Sequence, residues 1–228
     1  MEIAAGESHE KTADSVLTDM QIIAHRGFWL DPSQKNTQEA FERALRHGFG
    51  IETDFRDHHG ELVIAHDLPV GNEMLARDFF TLCKQYPQSR PHALNVKADG
   101  LQTLLSDLIS QWHKEDYFLF DMSIPDTLGY LNLGMSVYTR MSEYEDNQNL
   151  EGKGSGIWLD AFLSEWYPMD LIIDILARGK EVALVSPELH GRPHLKYWEL
   201  IKAARIHKNP QLSLCTDHPL MAKEYFNE

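Results

Sequence analysis

Gln21-Ile22-Ile23-Ala24-His25-Arg26-Gly27 opens the stretch that decides the reading of this chain. Asn36-Thr37, Ile51-Glu52-Thr53-Asp54 and Leu62-Val63-Ile64-Ala65-His66-Asp67 complete it. Three short apolar runs each end in a polar pair: His-Arg, Glu-x-Asp and His-Asp. Apolar runs of four or five residues suit buried strands. Laid side by side in a parallel sheet, they deliver all three pairs to one rim, where barrels and open α/β sheets place their chemistry. Two imidazoles and two carboxylates then face one mouth, the makings of an acid–base site around a metal.

Outward from that stretch, apolar runs alternate with helical patterns. Strands are expected at 21–25, 50–54, 93–97, 117–121, 135–138, 156–160, 181–185 and 211–215. Helices are expected at 36–47, 72–86, 100–113, 125–132, 141–149, 168–178, 194–207 and 218–226. Eight such alternations are what a parallel (β/α)8 TIM barrel requires. Segment 61–65 is an additional short strand, paired to the second as a hairpin through His58-His59-Gly60. In the first helix, Asn36 or Thr37 is the cap, Ala40, Phe41, Ala44 and Leu45 recur at helical spacing, and Gly48 is the stop.

At 228 residues and 43% hydrophobic content, one α/β domain over residues 20–228 accounts for the chain. Residues 1–19 carry Glu2, Glu7 and Glu10 and no apolar core of a signal peptide, so they read as a mobile tail. A formal charge of −14 opposes nucleic acid as a partner, because that affinity rests on Lys/Arg–phosphate contacts. It equally disfavours adsorption to anionic membranes. No run reaches the roughly 18 apolar residues of a membrane span, so no stable membrane insertion is expected. Cys83 and Cys215 set no disulfide framework and read as buried thiols of a cytoplasmic protein. Nothing in the pattern specifies an oligomeric state.

Glu52 and Asp54 lie two apart, hence on one face of a strand. Paired carboxylates repel unless a cation or proton sits between them, and hard oxygen ligands select Mg²⁺ or Ca²⁺. An exposed acidic strand end is the plain alternative, and the two histidines at neighbouring ends tip the balance to metal. His25 and His66 are the acid–base candidates, since imidazole titrates near neutrality. Their division of labour stays open. Arg26 offers paired N–H donors to a phosphate, or a salt bridge to an acid such as Glu52. Asn36 reads as a helix cap, and Thr216 and Asp217 as caps of the last helix. Asp160 and the segment Ser186–Arg192 mark two further points on the rim.

Taken together, His25-Arg26-Gly27, Asn36-Thr37, Glu52-x-Asp54 and His66-Asp67 resemble the signature of the glycerophosphodiester phosphodiesterase family in order and rough spacing. Asn95-Val96-Lys97 and Thr216-Asp217-His218-Pro219 resemble its later signatures more weakly. The resemblance implies a TIM barrel, a divalent metal and hydrolysis of a small-molecule phosphodiester, with Lys97 reaching the phosphate. Where the family carries Glu-x-Lys, this chain has Asn95 in place of the glutamate. An amide oxygen can ligate a hard cation but brings no charge. Asp121, ending the next strand, is the substitute carboxylate, so the implied ligand set is Glu52 and Asp54 with Asn95 or Asp121. Only 27 residues separate Asp67 from Asn95, fewer than the family's insertion there, which implies an open mouth. Two rivals follow from these departures: a non-catalytic barrel that binds a phosphorylated ligand, and a phospholipid-type lyase that forms a cyclic phosphate.

Overall fold

The computed structural model describes residues 19–145, 150 and 152–227. It contains β1 (Gln21–His25), β2 (Gly50–His58), β3 (Glu61–Ile64), β4 (His92–Val96), β5 (Tyr117–Phe120), β6 (Tyr138–Met141), β7 (Gly156–Leu159), β8 (Glu181–Val185) and β9 (Leu212–Thr216). The order β5-β4-β2-β1-β9-β8-β7-β6 is parallel throughout. A bridge between Leu119 and Val137 brings its two edges together, and the sheet becomes a (β/α)8 barrel. Helices α1 (Gln38–Arg46), α2 (Ala76–Cys83), α3 (Gln102–Ile109), α4 (Ile124–Asn132), α5 (Met169–Ala177), α6 (Leu195–Ala203) and α7 (Pro219–Asn227) cover it. In α1 the Thr37 hydroxyl accepts from the Ala40 amide as cap, while Ala40, Phe41, Ala44 and Leu45 are fully buried against the sheet.

Three expectations need correction. The sixth strand lies at Tyr138–Met141, not 135–138. Met135, Ser136 and Val137 are buried and lead into the strand; the Leu119 amide of β5 donates to the Ser136 carbonyl at 2.9 Å, the hydrogen bond of the Leu119–Val137 bridge. The helix expected at 141–149 begins instead with the last residue of β6, followed by a turn closed by the Ser142–Glu145 bridge; 146–149 lie outside the described residues. Residues 1–18 of the expected tail lie outside them too.

The third concerns the parallel setting of the His66-Asp67 run, since the hairpin itself forms as expected. Strand β2 continues to His58, turns through His59 and Gly60 at positive φ, and returns antiparallel as β3. His66-Asp67 therefore ends an antiparallel arm, not a parallel neighbour. The arm nonetheless brings it back to the rim, because the Ala65 amide donates to the Asp54 carbonyl at 2.9 Å.

Side chains alternate across a strand, so every second residue faces the barrel axis. Ile23, Ala93, Phe118, Phe120, Tyr138, Trp158, Ala183, Val185 and Cys215 fill the interior as one buried cluster. Phe118 stacks on Tyr138 with centroids 3.7 Å apart, and Phe120 on Trp158 at 4.0 Å. These rings make a floor. Two residues above the apolar layer, the same columns continue as His25, Asn95, Arg140, Asp160 and Asp217; Gly50 is followed by Glu52 and Asp54. Gly50 is required low in its column: a Cβ there would lie 2.1 Å from the Pro91 carbonyl oxygen.

Candidate active site

His25 ends β1 and is fixed by a residue almost two hundred positions away. Its Nδ1 lies 2.6 Å from Oδ1 of Asp217, which follows β9, the strand paired to β1. An ionised carboxylate only accepts, so Nδ1 carries the proton and Nε2 faces the mouth. Burial works to raise the Asp217 carboxyl. The hydrogen bond and charge of His25, with Lys35 at 3.6 Å and His218 nearby, outweigh burial and hold it below the usual carboxylate range. Asp217 was expected to cap the last helix. Its carboxylate serves His25 instead, and the Thr216 hydroxyl takes the amide of His218.

On the neighbouring strand, Glu52 is 2% exposed, with its Oε2 3.9 Å from His25 Nε2. Asn95 Nδ2 donates to Glu52 Oε1 at 3.2 Å. Burial, and after it the Asp54 charge, push the Glu52 carboxyl up to about 7, against the pull of His25, Arg26 and Lys97. Asp54 is completely buried and heavily compensated. Arg26 Nε lies 3.2 Å from its Oδ2, Asn36 Nδ2 donates to the same oxygen at 2.9 Å, and Lys97 Nζ lies 3.7 Å from Oδ1. Arg26 thus pairs with Asp54 rather than Glu52. Asn36 is no cap: its amide oxygen accepts from the Thr53 hydroxyl while its NH₂ holds Asp54.

Backbone conformation aims several of these groups. Arg26, Asn36 and Asp121 all adopt positive φ, of 58°, 58° and 74°. Such a conformation costs on the order of 1–3 kcal/mol outside glycine and persists where surroundings enforce it. Arg26 and Asp121 follow inward-facing residues, so regular alternation would turn them outward. The left-handed step turns them back. Gly27, next in line, has φ of +88°, and a Cβ on it would lie 2.9 Å from the Ala40 backbone. Glycine there lets α1 pack directly beneath the His-Arg turn.

Asp121 is engaged by two cations: Lys97 at 2.9 Å and Arg140, which also grips Glu145. Lys97 links it to Asp54, whose Oδ1 lies 3.7 Å from the same ammonium. Arg140 escaped the sequence reading because it sits on the displaced sixth strand; an arginine two positions above an inward-facing tyrosine was the available signal.

The oxygens that remain are informative. Glu52 Oε2, Asp54 Oδ1 and Asn95 Oδ1 are buried without a hydrogen-bond partner among the described residues. Buried polar atoms are ordinarily satisfied. Three hard acceptors, two of them on carboxylates, are the donor chemistry of Mg²⁺ or Ca²⁺. Among the described residues no group of three His, Cys, Asp or Glu side chains is arranged to hold a metal; the third oxygen here is the Asn95 amide. The residues present fit a weakly charged oxygen site.

His66 stands apart. Its side chain is 44% exposed and its Nδ1 meets Asp67 at 2.9 Å. The structure places it on the rim, outside hydrogen-bond contact with His25, Glu52 or Asp54. Beneath the mouth, burial raises the Cys215 thiol, and the charges of Glu52, Asp217, Glu188 and Asp160 raise it further. Glu188, within the rim segment Ser186–Arg192, accepts from the Thr216 hydroxyl and the Asp217 amide, and so braces the residue that holds His25.

No protein-family model and no curated protein matches this chain. Solved structures do. A glycerophosphodiester phosphodiesterase from Parabacteroides distasonis aligns with TM-score 0.70 and 16% identity, over 92% of this chain and 98% of the other. An Oleispira antarctica phosphodiesterase in complex with the product sn-glycerol-3-phosphate aligns with TM-score 0.67 and 16% identity over 92% and 98%. A glycerophosphodiester phosphodiesterase from Agrobacterium tumefaciens gives 0.65 and 18% over 92% and 100%. At these identities the likeness establishes a common barrel fold spanning nearly the whole of each chain.

Proposed function

We propose that this chain hydrolyses small-molecule phosphodiesters of the glycerophosphodiester kind at the mouth of its barrel. One observation carries the proposal: the His25–Asp217 pair stands beside three buried oxygens, on Glu52, Asp54 and Asn95, that lack hydrogen-bond partners among the described residues. The shared fold with phosphodiesterases, one of them holding sn-glycerol-3-phosphate, supports it. Fold alone fixes no chemistry. The residues supply the rest.

Glu52, Asp54 and Asn95 are the residues that would hold Mg²⁺ or Ca²⁺, and a cation bound there would supply Lewis acidity to the phosphoryl group. Arg26 and Lys97 face the same phosphate and offset charge as it builds on the phosphoryl group. His25 presents an unprotonated Nε2 and accepts the proton of the attacking hydroxyl, while Asp217 stabilises the imidazolium that forms. His66 donates to the departing alkoxide from the open side of the mouth. Its exposure suits a group that approaches once substrate covers the rim. The attacking hydroxyl is water, or a neighbouring hydroxyl of the substrate, and product analysis separates the two.

The test is steady-state release of p-nitrophenol from bis(p-nitrophenyl) phosphate with Mg²⁺ or Ca²⁺ present. Turnover should vanish on chelation and fall by at least about a hundredfold in His25→Gln. Full activity in EDTA would remove the cation from the account. An inert wild-type protein would leave the rival reading, a barrel that only binds phosphorylated ligands.

A further inference from the structure

Proton transfer at His25 depends on where Asp217 sits, and the sheet does not place it. The β1–β9 register ends at Ala24 and Thr216, and the β8–β9 register at Val185 and Cys215. Asp217 therefore lies past the last rung of either ladder. Both of its carboxylate oxygens are engaged, Oδ1 by His25 at 2.6 Å and Oδ2 by Lys35 at 3.6 Å, so the side chain is aimed. What remains to be fixed is the backbone that carries it.

Glu188 supplies that hold from the single turn Pro187–His190, which follows β8. Its side chain is 10% exposed. Oε1 accepts from the Asp217 amide at 3.1 Å and from the Thr216 hydroxyl. The Thr216 oxygen in turn accepts the His218 amide at 3.0 Å, which pins Thr216, Asp217 and His218 as one unit. Oε2 accepts from the Ser186 hydroxyl at 2.5 Å, and the Ser186 oxygen accepts from Trp198 Nε1 at 2.9 Å. Ser186 and Trp198 are fully buried. Glu188 is thus anchored to the end of β8 and, through Ser186, to α6, and it carries that rigidity to the chain beyond β9.

A carboxylate that only satisfies donors of its own turn is the plain alternative. Two of its three donors, however, lie 28 and 29 positions further along the chain, at the residue that orients His25 and the one before it. Misplacing an orienting group by about 1 Å costs on the order of a hundredfold in rate. We propose that Glu188 is a positioning residue of the reaction: by tethering the Asp217 amide it keeps the carboxylate in line with His25 Nδ1. Its reach matters to turnover, and its charge does not. This inference rests on the phosphodiesterase reading and adds a residue to its machinery.

Two substitutions separate reach from charge. Glu188→Gln removes the charge but keeps an oxygen for Asp217 and Thr216, while its NH₂ turns to the Ser186 oxygen; kcat on bis(p-nitrophenyl) phosphate with Mg²⁺ should stay within about threefold of wild type. Glu188→Asp keeps the charge and withdraws the acceptor by one methylene, so kcat should fall by about ten- to a hundredfold with KM nearly unchanged. Beside Asp217→Asn, the same Glu188→Asp change should cost no more than about threefold further, since the pair it serves is already broken. The downfield proton resonance of His25 Nδ1–H reads the pair without turnover. It should persist in wild type and Glu188→Gln and disappear in Glu188→Asp. A Glu188→Gln chain slower than Glu188→Asp, a loss carried by KM, or a Glu188→Asp penalty undiminished beside Asp217→Asn would overturn the inference. So would a resonance that survives Glu188→Asp. A wild type that shows the resonance but leaves the diester intact would instead overturn the phosphodiesterase reading, and the role in turnover with it.

Discussion

Asp217 and Asn95 are the residues on which the chemistry is most exposed to test. Asparagine at 217 would accept from His25 less strongly and could offer an N–H, which favours the wrong tautomer and leaves a forming imidazolium without its counter-charge. Asp217→Asn should lower kcat by about 10²–10⁴-fold with a much smaller change in KM, measured on a glycerophosphodiester. An equal loss through KM alone would assign Asp217 to substrate binding. Asn95→Glu works in the opposite direction. It removes the donor now on Glu52 Oε1 and sets a third carboxylate in a buried pair. Without cation the variant should be less stable by roughly 1–3 kcal/mol. With Mg²⁺ or Ca²⁺ it should bind the ion at least about tenfold more tightly by calorimetry, because the site regains a charge. Unchanged affinity would place the cation elsewhere.

The elements carry their own predictions. Strand β4 begins with His92, fully enclosed, whose Nδ1 accepts the Ile51 amide of β2 at 3.2 Å. Burial drives its pKa from 6.5 to about 4, only partly opposed by Asp116. The folded chain needs the neutral ring, whereas the unfolded chain takes up a proton near pH 6.5. Its contribution is therefore complete above pH 6.5 and is lost as pH falls toward 4, about 3 kcal/mol in all. His92→Asn keeps an acceptor without a titration. The stability gap between wild type and this variant in urea should narrow between pH 7 and pH 4; a constant gap would show that His92 does not titrate as argued. Gly50→Ala drives a methyl into the Pro91 carbonyl from the same region and should cost roughly 1–3 kcal/mol or more in thermal unfolding.

These elements also mark what the sequence could disclose. Runs such as Gln21–His25 and Glu181–Val185 are strands because they are apolar, β-branched and short, and period-two alternation then places His25, Glu52, Asp54, Asn95 and Lys97 inside the mouth. Residues aimed by left-handed backbone were less legible. Asn36 looked like a cap because helix entry and a φ of 58° share one polar side chain, and only the fold shows Asp54 beneath it. Asp217 looked like a cap for a similar reason; its partner is supplied by a register between β1 and β9 that no local pattern encodes. The sixth strand slipped because buried lead-in residues imitate a strand, and Arg140 was lost with it.

At the scale of the molecule, the mouth is a belt of charged groups laid over a floor of stacked rings. From Asp217 it runs through His25 and Glu52, crosses Asp54, Lys97, Asp121 and Arg140, and continues to Asp160 and His190. Lys97 and Arg140 in that belt, with Arg26 on Asp54, fix positive charge at the mouth of a chain of formal charge −14, so any attraction for phosphate is local rather than global. The most direct test is ³¹P NMR of a glycerophosphodiester incubated with the full chain and Mg²⁺ or Ca²⁺. A phosphomonoester resonance should grow in, stop on addition of EDTA, and remain absent with His25→Gln. A diester left intact under every cation, or converted equally well by His25→Gln, would contradict the account.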